Sequence, residues 1–188
     1  MKGRRAGSAL PRPAVLRTVV GFAAGLLVWF GLSPAYEAFL ASAAEVVLRL
    51  TESPAVTQLE AKAGEILVWR SDFPPAAPRP GLPAADLHFN FVLLCSLFAL
   101  ERRPWRGRVV GAFAIGAAAL GAVHVAALVF QVRALYAVHL GAWSADRYGP
   151  VARNFWAGGF HFYQIAGRFA APFAIWWGLR ESSNRVIR

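Results

Sequence analysis

The chain has 188 residues, of which 57% are hydrophobic and 16% charged, with a mean hydropathy of +0.44. That balance excludes an ordinary soluble domain and points to an all-α polytopic membrane protein. The net charge of +10 does not indicate nucleic acid, because the basic residues fall in short clusters beside apolar runs, where they set topology.

Lys2, Arg4, Arg5, Arg12 and Arg17 precede an apolar run that predicts a first span over about residues 16–33. Ser33-Pro34-Ala35 after that run also has the shape of a signal-peptide end, but an even number of spans requires the segment to stay as an anchor. Within it Gly21 and Gly25, four apart, read either as a small-residue ridge that another helix can approach closely or, equally, as the glycine that is common in membrane helices. From Ala35 to Leu50, Phe39, Leu40, Ala43, Val47 and Leu50 recur at helical spacing while Glu37, Glu45 and Arg49 interrupt them. This predicts an amphipathic helix at the interface or over the bundle.

Between Pro54 and Arg70 the pattern alternates around Gly64, which predicts two short strands in a hairpin. The prolines between Phe73 and Pro83 then predict a loop without regular structure. A short second span covers about residues 87–100, a length of about 21 Å at 1.5 Å per residue, so neighbours must shield it. A third span is expected over about 109–132 and a fourth over about 158–179, kinked at Pro172. The whole chain, 1–188, reads as one membrane domain of about four helices with an extracytoplasmic segment over 34–86.

Charge orients it. Basic residues dominate the N-terminal segment, the turn carrying Arg102, Arg103, Arg106 and Arg108, and the tail carrying Arg180, Arg185 and Arg188. The outer segment instead holds Glu37, Glu45, Glu52, Glu60, Glu65, Asp72 and Asp86 against four basic residues. Both termini are therefore expected in the cytoplasm.

In that orientation His88, Arg133 and His161 fall at one outer level on three different spans, with Asn90, Gln131 and Gln164 as amide neighbours. Ionisable groups in spans are costly, so these are the candidate binding residues, and a guanidinium offers a rigid fork to an anionic head group or a terminal carboxylate. The bland alternative is that Arg133 snorkels to lipid phosphates and the histidines cap helix ends. Arg168 lies deeper, with no acid in any predicted span to pair with it. His124, mid-span on an alanine-rich face, suits a helix-to-helix hydrogen bond. Cys95 is the single cysteine, which excludes an internal disulfide, and no spacing suggests a metal or cofactor. As a nucleophile it is poorly placed, about 12 Å deeper than the polar level by helix rise.

The order of these parts resembles the exosortase and archaeosortase family, most closely the compact exosortase H type. The resemblance rests on the basic start and first span, the amphipathic helix and the outer β-like segment. It continues through the helix ending in Arg102-Arg103-Pro104-Trp105, the small-residue helix running into Ala134 to Trp143, and the final His-bearing helix. The resemblance implies a multi-pass protein of a bacterial cytoplasmic (inner) membrane, related to transpeptidases that process C-terminal sorting signals with a Cys, an Arg and a further Arg or His. Arg133 is similar in placement to the family's arginine and His161 to its final histidine. The nucleophile has no counterpart: it would fall near Ala85 to His88, where the chain reads Ala-Asp-Leu-His, and the family's asparagine-containing stretch reads Ala126 to Phe130. The resemblance therefore implies a non-catalytic accessory that binds an exosortase or its sorting-signal substrates, beside membrane lipids. Two alternatives stand beside it: an active cysteine transpeptidase using Cys95, and a lipid or small-anion binding subunit.

Overall fold

In a computed structural model of the protein, residues 12–73, 79–101 and 103–185 are described. Lys2, Arg4, Arg5, Arg102 and Arg188, and the loop prolines Pro74, Pro75 and Pro78, lie outside them.

The first element, α1, is one continuous helix from Arg12 to Thr51, with Pro34 inside it. Its 40 residues span about 60 Å at 1.5 Å per residue, twice the hydrocarbon thickness of a bilayer. The expected separate amphipathic helix is thus the C-terminal half of α1. Its polar residues bond other protein: Glu45 accepts from the Leu59 amide at 2.8 Å and Arg49, itself exposed, donates through Nε to the Thr57 carbonyl at 2.9 Å. These contacts cover the free edge of β1, which would otherwise present unpaired backbone groups.

The sheet has three antiparallel strands in the order β1 (Thr57–Lys62), β2 (Glu65–Arg70), β3 (Gly81–Pro83). β1 and β2 form the expected hairpin, closed by Lys62 opposite Glu65. Its two-residue turn holds Ala63 and Gly64 at φ +52° and +81°, the left-handed pair that matches strand twist. β3 corrects the expectation of a structureless stretch up to Pro83. A proline is tolerated at the end of an edge strand, and Pro83 takes that place opposite Glu65.

The chain continues through a short helix α2 (Ala85–His88), a break at Phe89 and Asn90, and α3 (Phe91–Ala99). The long α4 runs from Gly107 to Val138 and the short α5 from Ala142 to Arg147. Last come α6 (Pro150–Phe162), a π turn over Tyr163–Gly167, and α7 (Arg168–Arg185), an almost unbroken helical run. Two helices, α1 from Pro13 and α4, are long and apolar enough to cross a membrane, and Ala85–Ala99 is a shorter apolar segment.

Packing ties the parts together in two cores. The C-terminal half of α1 buries Leu40, Ala44 and Leu48 against Ile66 and Val68 of the sheet and Leu128, Val132 and Tyr136 of α4. A second core joins Leu94 and Phe98 of α3 to Leu120 of α4, with Ile175 and Leu179 of α7 against it. The Gly21/Gly25 ridge meets α3. A methyl group at Gly21 would overlap the Ala99 side chain, and one at Gly25 would lie 2.9 Å from Cys95 Cβ.

Candidate functional site

The break between α2 and α3 sits at the centre of a buried polar cluster, and the break explains why. A helix interrupted at Phe89 and Asn90 leaves main-chain carbonyls without their usual donors, which an apolar interior penalises. Tyr163, in the π turn, donates its hydroxyl to the Leu87 carbonyl at 2.6 Å. Asn90 Nδ2 in turn donates to the carbonyl of Arg168 at 2.8 Å. That carbonyl needs a donor because the residue four positions on is Pro172, which has no N–H. Each of the two interrupted helices therefore supplies the partner that the other lacks.

From Asn90 the hydrogen bonds run in one direction. Since its amide nitrogen is committed to a carbonyl, its Oδ1 is the acceptor for His124 Nε2 at 2.7 Å. His124 then carries its proton on Nε2, and its Nδ1 accepts from the Tyr36 hydroxyl at 2.7 Å. The chain Tyr36, His124, Asn90, Arg168 carbonyl links α1, α4, the α2–α3 break and α7. It ends on an amide and a main-chain oxygen, neither of which passes a proton on, so it holds geometry rather than conducting protons.

His88 lies beside this chain, 1% exposed, its ring 5.4 Å from that of Tyr36. Trp29 Nε1 donates to His88 Nδ1 at 2.8 Å, which puts the histidine's proton on Nε2. That nitrogen is 3.4 Å from Glu37 Oε1 but too badly aligned for a hydrogen bond. An apolar cavity of about 150 Å³ adjoins, lined by Val28, Trp29, Leu32, Ser33, Tyr36, His88 and Phe91.

A second polar cluster lies in the cap that the sheet and α5 form over the end of α4. Glu52, with its side chain 3% exposed, faces Arg70 Nη1 at 3.2 Å and Arg133 Nη1 at 3.9 Å. The Thr57 hydroxyl lies between Glu52 and the Tyr136 hydroxyl, 3.0 Å from the latter. Arg70 also binds Asp72 through Nε at 2.8 Å and stacks on Tyr136 and Trp143. Burial alone would lower the Arg70 pKa, but its bond to Asp72 and the charges of Glu52 and Asp72 raise it. The same bond holds the Asp72 carboxyl below the usual carboxylate range, against the opposing effect of burial.

The residues expected at one outer level are thus divided among different surroundings. His88 and Asn90 belong to the buried cluster. Arg133 joins the cap, donating to the Thr51 carbonyl and hydroxyl and lying over the Trp156 ring. His161 is exposed, its ring near that of Phe160. Gln131 is buried with its Oε1 unpaired, and Gln164 contacts Arg168 Nη1 at 3.5 Å. Cys95 packs in the α1–α3 seam against Gly25, and no imidazole or guanidinium bonds to it among the described residues. No group of His, Cys, Asp or Glu among those residues could hold a metal ion.

Comparisons with protein-family models, with curated proteins and with solved structures give no match for this chain.

Trp29, Tyr36, Glu52, Thr57, Arg70, Tyr136 and Trp143 were not among the residues expected from sequence. Arg70 had a legible signal: it shares the strand face of Ile66 and Val68, so the alternation that buries them buries it too. Tyr36 had none, because only the tertiary crossing brings positions 36, 90 and 124 together.

Proposed function

We propose that the chain is a four-span protein of a bacterial cytoplasmic membrane, with both termini inside, and that it acts by binding rather than by covalent catalysis. In this reading α1 crosses outward, α2–α3 return, α4 crosses outward again and α6–α7 return, with the sheet and α5 as the outer cap. Exposed apolar belts support it: Leu27 and Phe30 on α1 and Phe162 and Ile165 on the last helical run would be costly in water and are at home in lipid.

The role that the sequence resemblance suggests is an exosortase-like scaffold serving as an accessory in the sorting of proteins with C-terminal signals. One observation carries the choice of binding over catalysis. At Ala85–His88, where that resemblance would put the nucleophile, there is a helical turn whose histidine accepts from Trp29, while the single thiol sits in the α1–α3 seam. A thiol held against glycine and apolar neighbours lacks the adjacent base that makes a cysteine attack.

The test is a deletion strain assayed for surface anchoring of proteins bearing such signals, complemented by wild type and by Cys95→Ala. Loss of anchoring restored equally by both versions is expected, with co-purification of an exosortase. Normal anchoring in the deletion strain overturns the sorting role, and failure of Cys95→Ala to complement overturns the non-catalytic one.

A further inference from the structure

Arg168 is a half-buried cation that no carboxylate among the described residues neutralises. Its main-chain oxygen is held by Asn90, and 12 residues of helix, about 18 Å, separate it from Arg180, which pairs with Glu101 at the basic end, so in the four-span reading Arg168 lies near the bilayer centre. Among the described residues no carboxylate pairs with it. Among the described residues its guanidinium has one hydrogen bond, Nη1 to Gln164 Oε1 at 3.5 Å, and Nε is enclosed without a partner. The group stacks on Phe169, 4.8 Å from the ring centre, and that ring is 53% exposed on the outer face of the helical run. Ile165, one turn back, is 77% exposed.

We infer that Arg168 and the exposed face carrying Ile165, Phe169 and Phe173 dock an apolar transmembrane helix of a partner protein bearing a single carboxylate near its middle. The inference rests on the proposed membrane topology and gives the binding role a partner chemistry. Charge and depth together select the occupant. An arginine in hydrocarbon is kept only where an acceptor compensates it, and a carboxylate matches a guanidinium best. Lipid phosphates stand about 15 Å from the centre of a bilayer, beyond the reach of a side chain rooted there. A carboxylate at that depth has to arrive on a spanning segment, and the exposed aromatic and aliphatic ridge supplies the surface for its apolar turns to pack on.

The probe is a leucine-rich 21-residue transmembrane peptide with one central Glu, dansyl-labelled, against the same peptide with Gln. The full chain is placed in phosphatidylcholine vesicles, and binding is read by energy transfer from its tryptophans. The Glu peptide is expected to bind roughly tenfold more tightly, the scale of one charge-assisted hydrogen bond. Arg168→Met removes that difference and Arg168→Lys keeps most of it. Equal binding of the two peptides, a preference that survives Arg168→Met, or displacement of the Glu peptide by phosphatidylglycerol overturns the inference. A nitroxide at Phe169→Cys in a Cys95→Ala background measures depth separately. A shallow label overturns the topology and this inference with it, whereas a deep label with equal peptide binding overturns the inference alone.

Discussion

Asn90 donates to the main-chain oxygen of Arg168 at 2.8 Å, the carbonyl that Pro172 leaves without a helical donor. Because the same side chain accepts from His124, replacing it strands two buried groups at once. Asn90→Leu is expected to lower unfolding stability by about 2–6 kcal/mol, at about 1–3 kcal/mol for each buried polar group left unpaired. Pro172→Ala restores an N–H four residues after Arg168, so it should recover part of that loss in the double variant. Detergent-titrated unfolding of the four proteins of this cycle checks it, and strict additivity would show that Asn90 and Pro172 are not coupled.

The directed chain through His124 fixes a tautomer. Histidine-selective 15N labelling is expected to show a protonated Nε2 and a bare Nδ1 for His124, since Asn90 accepts at one nitrogen and Tyr36 donates at the other. Tyr36→Phe should cost about 1 kcal/mol by leaving Nδ1 without its donor, while the tautomer is unchanged because Asn90 still accepts. A proton found on Nδ1 would contradict the hydrogen-bond directions.

How much of this was legible depended on whether its signal was local. The hairpin around Gly64 showed in the alternation of its strands, and the Gly21/Gly25 ridge in a four-residue spacing, and both are used as expected. His124 was readable as a helix-to-helix hydrogen bond, although neither of its partners was. The continuity of α1 through Pro34 was not readable, because a proline followed by Glu37, Glu45 and Arg49 resembles a stop and a surface helix. Those residues instead bond the sheet edge and face His88, which are tertiary relations with no sequence period. His88, Arg133 and His161 do not share one cluster for a related reason: α4 runs on to Val138 and carries Arg133 to Glu52, away from His88.

The cap should respond to acid through Asp72. Its pKa is depressed by the hydrogen bond from Arg70, with the Arg70 charge adding to it, so its contribution to stability is present above the ordinary aspartate range. That contribution is lost as pH falls below about 4, through the ordinary aspartate value and then the lower folded one. Thermal midpoints of wild type should therefore drop over that window, and the drop should be smaller in Asp72→Asn. Identical acid profiles for the two proteins would remove Asp72 from the account.

Arg70 carries more than that one bond. Without it, Glu52 stays buried with the Thr57 hydroxyl and, for charge, only the longer 3.9 Å approach of Arg133, so Arg70→Gln is expected to cost about 3–5 kcal/mol. Arg70→Lys should rescue little, since a lysine has neither the planar fork that spans Asp72 and Glu52 nor the flat face stacked on Tyr136 and Trp143. Removing the buried acid as well, in Arg70→Gln with Glu52→Gln, should recover stability over the single arginine variant. Denaturant midpoints of the three variants measure this, and a double variant no better than Arg70→Gln would mean that the buried charge is not the source of the loss.

The seam between α1 and α3 offers a test in which sterics alone decide. A valine at Gly25 would drive its branched carbons into Cys95, whose Cβ already lies 2.9 Å from the position of an added methyl. The helices must then separate, at a cost of about 1–3 kcal/mol for overpacking. Gly31, on the same helix, has nothing within 4 Å of an added methyl. Gly31→Ala should accordingly be neutral or stabilising by up to about 1 kcal/mol, from the lower backbone freedom of alanine. Cys95 is its own reporter. Its labelling by a small thiol reagent should accelerate in Gly25→Val and stay at the wild-type rate in Gly31→Ala, and equal rates in all three proteins would mean that Gly25 does not seat α1 on Cys95.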